Sequence, residues 1–412
     1  MRRELTPKEV IYNEDFTSII GEKESYGNEY EGVFRKIDEA LSINKEGFNV
    51  YLIDEFSKQK LKDLISHLED KMKSRGKPKD ICYVTLEDIR VPKVIFLENG
   101  MGEKLEETLE YLKSFYYDEI YDFYNSSINK EKEEIINDIQ KKRNYYIGDL
   151  IKSAKEEGFD LKATSSGFAF IPLVDGEAMT EEEFDELEEN SKGDISIKVD
   201  KLKEGAESVL EELKNIELDS IEKLKELLRT YLENESASVK GKIKDNFKNE
   251  NEAYNYLIDV CESLEKLLVD NYTINFDDDE EKINEIFSKY VCNIIKNSKD
   301  QKAPKVIFEE DPSLNNLLGT IEYENHNGVY STDVKLIKSG SLLEANEGCI
   351  ILRLSSLVNN TNSYYYLRRT LLHGKINYDF NRGYLEVLSL NGLNPDPIPT
   401  VSYTHLTLPT TP

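Results

Sequence analysis

The segment from residue 303 to residue 352 constrains the fold most strongly, because short β-rich runs alternate in it with turn residues. Residues 306–308, 321–323 and 349–352 are such runs, and Pro, Asn and Gly residues separate them. This pattern is typical of strands joined by tight turns. Most of the remaining chain is rich in Lys and Glu and has a helical period. We therefore predict a β-containing module that the preceding residues lead into or interrupt.

A second strand-forming run, residues 48–53, lies where a phosphate-binding loop would begin. Such a loop needs glycines, so that backbone N–H groups can approach phosphate, and a lysine to meet its charge. The following residues supply Lys60 but no glycine, and Asp54 and Glu55 would repel phosphate. We interpret this loop as degenerate. The alternative for Lys60 is a surface lysine on a helix predicted for residues 58–73.

Further strands are predicted for residues 81–85 and 91–97. Together with the strand at 48–53, they indicate a βαβ arrangement that begins a parallel sheet. From residue 103 to about 299 the apolar residues recur at helical spacing, which predicts long helices with one apolar face. Thr180 and Glu183 form a predicted capping box, and the run from Glu177 to Asn190 carries eight acidic residues and no basic one. We interpret that run as a solvated helix face.

The net negative charge of the chain argues against partners that are themselves strongly negative. The 412 residues include 81 Asp and Glu against 53 Lys and Arg, a formal charge of −28. This average field repels phosphate backbones, so we predict no nucleic-acid partner and no anionic-membrane partner. No apolar run approaches the roughly 20 residues that span a bilayer, and the N-terminus has no apolar signal segment. We therefore expect a cytoplasmic protein.

The cysteines and histidines do not indicate a metal site. Cys82, Cys261, Cys292 and Cys349 are far apart and form no CxxC pair. Buried free thiols are the expected state. Residues 400–412 contain no charged side chain and five threonines. We interpret them as a non-native tail and leave them out of the fold prediction.

Short motifs in a fixed order extend through almost the whole chain up to about Pro399. In the first part they are Leu5-Thr-Pro7, Gly47-Phe-Asn-Val-Tyr51, Asp80-Ile-Cys-Tyr-Val84, Pro92 with Gly100-Met-Gly102, Gly158-Phe159, and Phe170-Ile-Pro172 with Gly176 and Met179-Thr180. In the second, denser part they are Ala303-Pro304, Asp311-Pro312, Asn316-Leu317 with Gly319, Thr332-Asp333, Gly340-Ser-Leu342, Ala345-Asn346 with Gly348, Leu367-Arg-Arg369, and residues 395–399. By this order the chain resembles the Lon-like ATP-dependent proteases, in the branch whose AAA+ module carries a long helical insertion.

The resemblance implies a fold and a domain division. The fold would be α/β, with an AAA+-like P-loop sheet, incomplete in this chain, interrupted by a large, mainly helical insertion domain. Residues 1–102 would form the first part of the AAA+-like module and 103–299 the insertion domain. Residues 300–399 would supply the returning strands, and 400–412 would be the non-native tail. We expect the serine peptidase domain of the family, with its Ser–Lys pair, to be absent, so we nominate no catalytic residue.

The resemblance also implies a function: ATP and Mg²⁺ binding by a homo-oligomeric ring that unfolds and degrades protein substrates. Lys60 would match the phosphate-loop lysine, and Arg368 and Arg369 would contact phosphate or the neighbouring ring subunit. The alternative for the two arginines is an ordinary ion pair within the chain. Leu61 stands where the family has a Mg²⁺-binding Ser or Thr, and Arg353 stands where relatives place a carboxylate. Three hypotheses therefore remain open: an AAA+ region with a degenerate nucleotide site, a non-catalytic acidic helical scaffold or substrate-interaction module, and an active ATPase that uses Lys60.

Overall fold

The computed structural model describes residues 27–43, 49–53, 57–125, 130–164, 167–174, 176–327, 329–378, 392–400 and 406–408. The motif Leu5–Pro7 and the acidic residues Asp54 and Glu55 lie outside the described residues. The protein is a mixed α/β structure that divides into two compact units. The α/β unit contains the described residues up to Glu106 and from Cys292 onward, and the insertion unit is Glu107–Val291.

The elements are numbered in chain order over the described residues. The helices are α1 Gly27–Ile43, α2 Lys58–Met72, α3 Met101–Asn125, α4 Lys130–Glu156, α5 Glu181–Asp185, α6 Glu189–Asn246, α7 Asn251–Asp270, α8 Phe276–Ser288, α9 Leu314–Leu318, α10 Ser341–Glu344, α11 Leu354–Asn359 and α12 Thr361–His373. The strands are β1 Val50–Tyr51, β2 Asp80–Val84, β3 Lys93–Leu97, β4 Phe159–Thr164, β5 Gly167–Val174, β6 Glu177–Ala178, β7 Cys292–Lys296, β8 Val306–Glu309, β9 Gly319–Ile321, β10 Glu324–His326, β11 Val329–Ser331, β12 Ile337–Ser339, β13 Cys349–Arg353, β14 Lys375–Ile376, β15 Ile398–Pro399 and β16 Leu406–Leu408.

The main sheet of the α/β unit has four parallel strands in the order β1-β16-β13-β8. Strand β13 lies inside this sheet, and Ile350, Ile351 and Leu352 are almost fully buried. Such a continuous apolar run is typical of a parallel strand covered on both faces. Helices α1 and α2 contribute Ile37, Leu41, Leu64, Leu68 and Met72 to the core that contains Cys349 and Ile351 of β13.

Strand β16 belongs to the segment that we left out of the fold prediction. Leu406–Leu408 pairs with both β1 and β13. The structure therefore gives this part of the segment a place inside the parallel sheet, between the strand that precedes α2 and the strand that ends at Arg353. That the segment is non-native stays a prediction.

The second sheet of the α/β unit corrects the predicted βαβ arrangement. Strand β2 pairs antiparallel with both β3 and β7, in the order β3-β2-β7, and none of the three pairs with β1. The physical reason is the connection between β2 and β3, residues 85–92. Parallel neighbours need a crossover of a dozen or more residues, which this connection is too short to provide.

A buried carboxylate ties this antiparallel sheet to the start of α3. Asp80 is fully buried, and its two carboxylate oxygens accept hydrogen bonds from the backbone N–H groups of Gly102 (2.8 Å) and Ser298 (2.7 Å). The first of these N–H groups belongs to the first turn of α3, where backbone donors have no partner within the helix. Asp80 therefore acts as a long-range cap that fixes where α3 begins.

Close backbone contact holds the loop before β13. A Cβ atom on Gly348 would lie 2.0 Å from the carbonyl oxygen of Lys305, which no side chain can tolerate. The buried ammonium group of Lys296 donates to the carbonyl oxygen of Asn346 at 2.8 Å. Asn346 and Gly348 therefore shape the turn that precedes this strand.

The insertion unit consists mainly of long helices. Helices α4 and α7 each pack on α6, and tyrosine hydroxyl groups hydrogen-bond to carboxylates of neighbouring helices. Tyr116 donates to Glu265 (2.7 Å) and Tyr231 to Glu119 (2.6 Å), while Tyr124 donates to Asp279. The capping box predicted for Thr180 and Glu183 is confirmed at the start of α5.

The unit also contains a three-stranded antiparallel sheet, β4-β5-β6. Among the helices of the described ranges, none combines the length and apolar character that a membrane span requires.

Candidate functional site

The join between β1 and α2 carries the first sequence-predicted site residue. Helix α2 begins after Ser57, whose hydroxyl oxygen accepts a hydrogen bond from the backbone N–H of Lys60 at 3.2 Å. This N-cap fixes Lys60 in the first turn of the helix. In sheets of parallel strands, ligands bind beyond the carboxyl ends of the strands, where a strand runs into the next helix. Lys60 therefore lies in the first turn of the helix that follows β1.

A cavity of about 360 Å³ lies at this join. It is lined by α1, by β1 with the two residues after it, and by the first two turns of α2. Its apolar walls include Val33, Phe34, Ile37, Val50, Leu52 and Leu64, and its polar groups include Tyr30, Lys36, Lys60 and Asp63. A largely apolar pocket with a few polar groups is the usual form of a small-molecule site, and ligand pockets measure about 300–1,000 Å³.

The charged groups in the cavity set its chemistry. The ammonium group of Lys60 lies 5.2 Å from the ring centroid of Tyr30, within the range of a cation–π contact. Asp63, one turn further along α2, accepts a hydrogen bond from the side chain of Gln59 at 2.9 Å. A carboxylate beside the lysine favours a ligand with hydrogen-bond donors and works against a dense negative charge.

A polar cluster of Asp38, His67 and Lys71, next to Phe34, joins α1 to α2. The ring of Phe34 stacks on His67, with centroids 4.4 Å apart, and His67 Nε2 lies 2.8 Å from Asp38 Oδ1. Lys71 Nζ lies 2.8 Å from the other oxygen of Asp38. Burial alone would raise the pKa of Asp38, but the hydrogen bonds from Lys71 and His67 outweigh burial and lower that pKa. The cluster therefore fixes the helix that supplies one wall of the cavity.

The carboxyl end of β13 holds an arginine. Arg353 is the last residue of this strand, and its guanidinium group lies 5.5 Å from the ring centroid of Phe308 on the neighbouring strand β8. A cation at this position cannot ligate Mg²⁺. Over the described ranges, no three His, Cys, Asp or Glu side chains come together in a group that could hold a metal ion.

Arg368 and Arg369 lie on α12 and do not line the cavity. Arg368 is exposed, whereas Arg369 is half-buried. Tyr364 and Tyr365, on the same helix, are 44% and 61% exposed. The structure therefore does not bring the two arginines together with Lys60 at the cavity, and it places Arg368 beside exposed aromatic rings.

Sequence reasoning missed the walls of the cavity that α1 supplies. Tyr30, Phe34 and Lys36 were not predicted as site residues, although α1 is amphipathic and its apolar face could have been found from its helical period. Asp63 was also missed. It lies one turn after Lys60, so a single helix turn of α2 presents both charges to the same space.

Comparison with protein families supports the sequence resemblance over part of the chain. The model of the LonB-like AAA domain family matches residues 302–402. The match covers β8 through β15 and includes Arg353, Arg368 and Arg369, whereas Lys60 lies outside it. No curated protein matches the chain. Residues 302–402 therefore match a Lon-like AAA+ region, as the order of the sequence motifs in this part of the chain predicted.

Proposed function

We propose that this chain is an AAA+ module of the Lon-like protease type that binds the base of ATP in the cavity between α1, β1 and α2. A Lon-like AAA domain suggests ATP binding and an ATP-dependent, protease-related function at the level of the family. The observation that carries the proposal for this chain is the cavity itself. It lies where a strand of the parallel sheet leads into a helix, with Lys60 in the first turn of that helix.

The residues of the cavity fit the base of ATP better than they fit its phosphates. The apolar walls and the ring of Tyr30 suit a flat purine base, and the carboxylate of Asp63 can accept a hydrogen bond from an amino group on that base. Lys60 is positioned to meet a phosphate as a single charge. We therefore propose that phosphate binding is weaker than in a glycine-rich loop, where several backbone N–H groups contribute.

The described residues at the ends of β1 and β13 do not fit a Mg²⁺ ion. Leu61 has no oxygen to offer, and Arg353 places a cation at the end of β13. The proposed state is a module that binds ATP and hydrolyses it slowly or not at all.

Calorimetry with ATP tests this proposal. We expect wild-type chain to bind ATP and Lys60→Ala to bind it about fivefold more weakly, because one partly exposed charge contact contributes about 1 kcal/mol. Lys58→Ala is the matched control, since Lys58 is an exposed lysine of the same helix that does not line the cavity. Absence of ATP binding in the wild-type chain would overturn the proposal, and equal losses in the two variants would remove Lys60 from it.

Assembly and substrate handling are the second part of the proposal. A family of this type suggests oligomeric assembly and contact with protein substrates. We propose that residues 103–299 form an inserted domain and that Arg368 contributes to contacts between copies. The separation of Glu107–Val291 as its own unit and the exposure of Arg368 beside two tyrosines support these assignments. Light scattering tests the assembly: Arg368→Glu should lower the average mass, whereas Lys375→Glu, at an exposed lysine outside α12, should not.

The second candidate function is a non-catalytic scaffold or substrate-interaction module. The charge of the insertion unit favours it: residues 107–291 contain 47 acidic and 24 basic residues, a formal charge of −23. In this case the same calorimetric experiment would show no ATP binding, while binding of basic proteins would persist. The two candidate functions therefore predict opposite results in one experiment.

A further inference from the structure

The β4–β5 hairpin of the insertion unit has one packed face and one open face. Phe159, Leu161 and Phe170 pack on Ala154 of α4 and on the first turns of α6. Because side chains alternate along a strand, Ala169, Ile171 and Leu173 lie on the opposite face, where each is half-buried. Asp160 and Lys162 lie on that face of β4, and their charges offset each other. The open face therefore carries an apolar strip along β5.

The outer edge of β5 is also open along part of its length. Leu173 donates to the carbonyl oxygen of Gly158 at 2.8 Å, so the alternation of an antiparallel ladder directs the backbone groups of Ile171 and Ala169 toward β4. The groups of Phe168 and Phe170 consequently point the other way. Within the described residues, β6 pairs with β5 only at residues 173 and 174, and no strand pairs with Phe168 or Phe170 on this side.

Negative charge is concentrated on the same side as this open edge. Strand β6 pairs with the outer edge of β5, and Glu177 lies opposite Val174. From Glu177 to Asn190 the chain carries eight acidic residues and no basic one. The carbonyl oxygen of Pro172 accepts a hydrogen bond from Met179 at 2.8 Å, which ties the beginning of this acidic run to the edge of β5.

We infer that the outer edge of β5 binds an extended, basic polypeptide segment as an additional strand. Backbone groups of Phe168 and Phe170 would pair with the incoming segment, which is the mode of recognition called β-augmentation. Apolar side chains of the segment would lie beside Ala169 and Ile171, and its Lys or Arg side chains would face the acidic run. This inference does not depend on nucleotide binding, so it can hold or fail independently of the proposed cavity.

Fluorescence anisotropy with the full chain tests the inference. The probe is a labelled peptide of about ten residues in which Val and Lys alternate, a length typical of a strand. A second peptide of the same length and charge has Pro in place of alternate Val residues and cannot form a ladder. We expect saturable binding of the first peptide, and binding of the second at least about tenfold weaker because it loses ladder hydrogen bonds. Equal binding of the two peptides would show charge attraction alone and would overturn the inference.

A matched pair of variants locates the site. Ala169→Lys places a positive charge beside the edge and should weaken binding of the Val–Lys peptide by about fivefold, whereas Ala169→Glu should preserve or strengthen it. Circular dichroism checks that both variants fold. If Ala169→Lys does not fold, Glu177→Lys, at an exposed position on β6, replaces it with the same expected direction. Equal affinities for the oppositely charged variants would overturn the assignment to β5. Light scattering tests whether a second copy of the chain occupies the edge of β5 instead. A dimer that persists in the presence of the Val–Lys peptide would indicate such a copy and would also overturn the inference.

Discussion

The two units of this protein solve the problem of buried polar groups in different ways. In the α/β unit, buried Asp80 and Lys296 bond to backbone groups, so each one fixes a particular turn or helix start. In the insertion unit, buried carboxylates bond to side chains of neighbouring helices: Glu265 accepts from Tyr116 and Ser236 and pairs with Lys240 at 2.7 Å. Backbone partners set the geometry of loops, whereas side-chain partners set the register between helices.

The units also differ in charge. The insertion unit carries a formal charge of −23, and the rest of the chain, with 34 acidic and 29 basic residues, carries −5. The LonB-like family match lies entirely in the nearly neutral unit. The acidity of the whole chain therefore comes mainly from its insertion unit and says little about the candidate nucleotide site. The total charge of the chain therefore does not exclude an anionic ligand from the cavity beside Lys60.

The largest expected effect comes from Asp80→Ala in the α/β unit. The substitution leaves the N–H groups of Gly102 and Ser298 buried without partners, at a cost of about 3–5 kcal/mol in the free energy of unfolding. Hydrogen exchange should show faster exchange at Gly102 and Ser298, while amides of α7 in the insertion unit keep their protection. The control is Asp88→Ala, because Asp88 forms an exposed ion pair with Arg90. This substitution should change the hydrogen-exchange rates little. Equal loss of protection in both units would contradict a role for Asp80 that is confined to the α/β unit.

Glu265→Ala is the corresponding change in the insertion unit. It removes the acceptor for Tyr116 and Ser236 and leaves Lys240 without its partner, which we expect to cost about 2–4 kcal/mol. Lys240 is partly exposed and can turn to solvent, so the loss should be smaller than for Asp80→Ala. The same hydrogen-exchange experiment should now show faster exchange in α6 and α7 and unchanged exchange in β2. Unchanged exchange in α7 would contradict a role for Glu265 in helix register.

Gly102→Ala tests how tightly the start of α3 packs against β2. An added Cβ would lie 3.2 Å from Asp80 Oδ2 and 3.2 Å from Cys82 Sγ, so the buried neighbours must shift. We expect a loss of about 1–2 kcal/mol, as for other small-to-large changes in packed sites. Gly148→Ala in α4, where nothing lies within 4 Å of the added Cβ, should instead be neutral or stabilising, because Ala favours helices. Urea denaturation measures the free energy of unfolding of both variants. Equal changes in this free energy would contradict the crowding at Gly102.

Asp38→Asn gives the smallest effect and a defined pH dependence. The pKa of Asp38 is lowered in the folded chain, so its stabilising contribution is present above the unfolded pKa of about 3.9 and is lost as pH falls through the folded value. We expect the variant to be less stable by about 0.5–1 kcal/mol at neutral pH, since the pair is partly exposed. The difference between wild type and variant should shrink below about pH 4. If the difference in stability grew as pH fell, the result would contradict a lowered pKa for Asp38.

Much of the local structure followed from the sequence, because local signals determine it. The helix after Ser57, the capping box at Thr180 and the strand at Cys349 were all predicted from residues close in the chain. The partners of β2 were not, because strand pairing depends on connection length and on β7, which lies about 200 residues away. The same limit applies to the cavity: Lys60 was identified by position, whereas its contact with Tyr30 requires the packing of α1 on α2.

Photoaffinity labelling with azido-ATP reports directly where the base of ATP binds in the protein. After irradiation and proteolysis, mass spectrometry should find the label on peptides that contain Tyr30, Phe34 or residues 50–53, and excess unlabelled ATP should suppress it. Lys60→Ala should reduce the yield at low nucleotide concentration without moving the label. Label that unlabelled ATP does not suppress, or that lies only on peptides outside the walls of the cavity, would contradict the account.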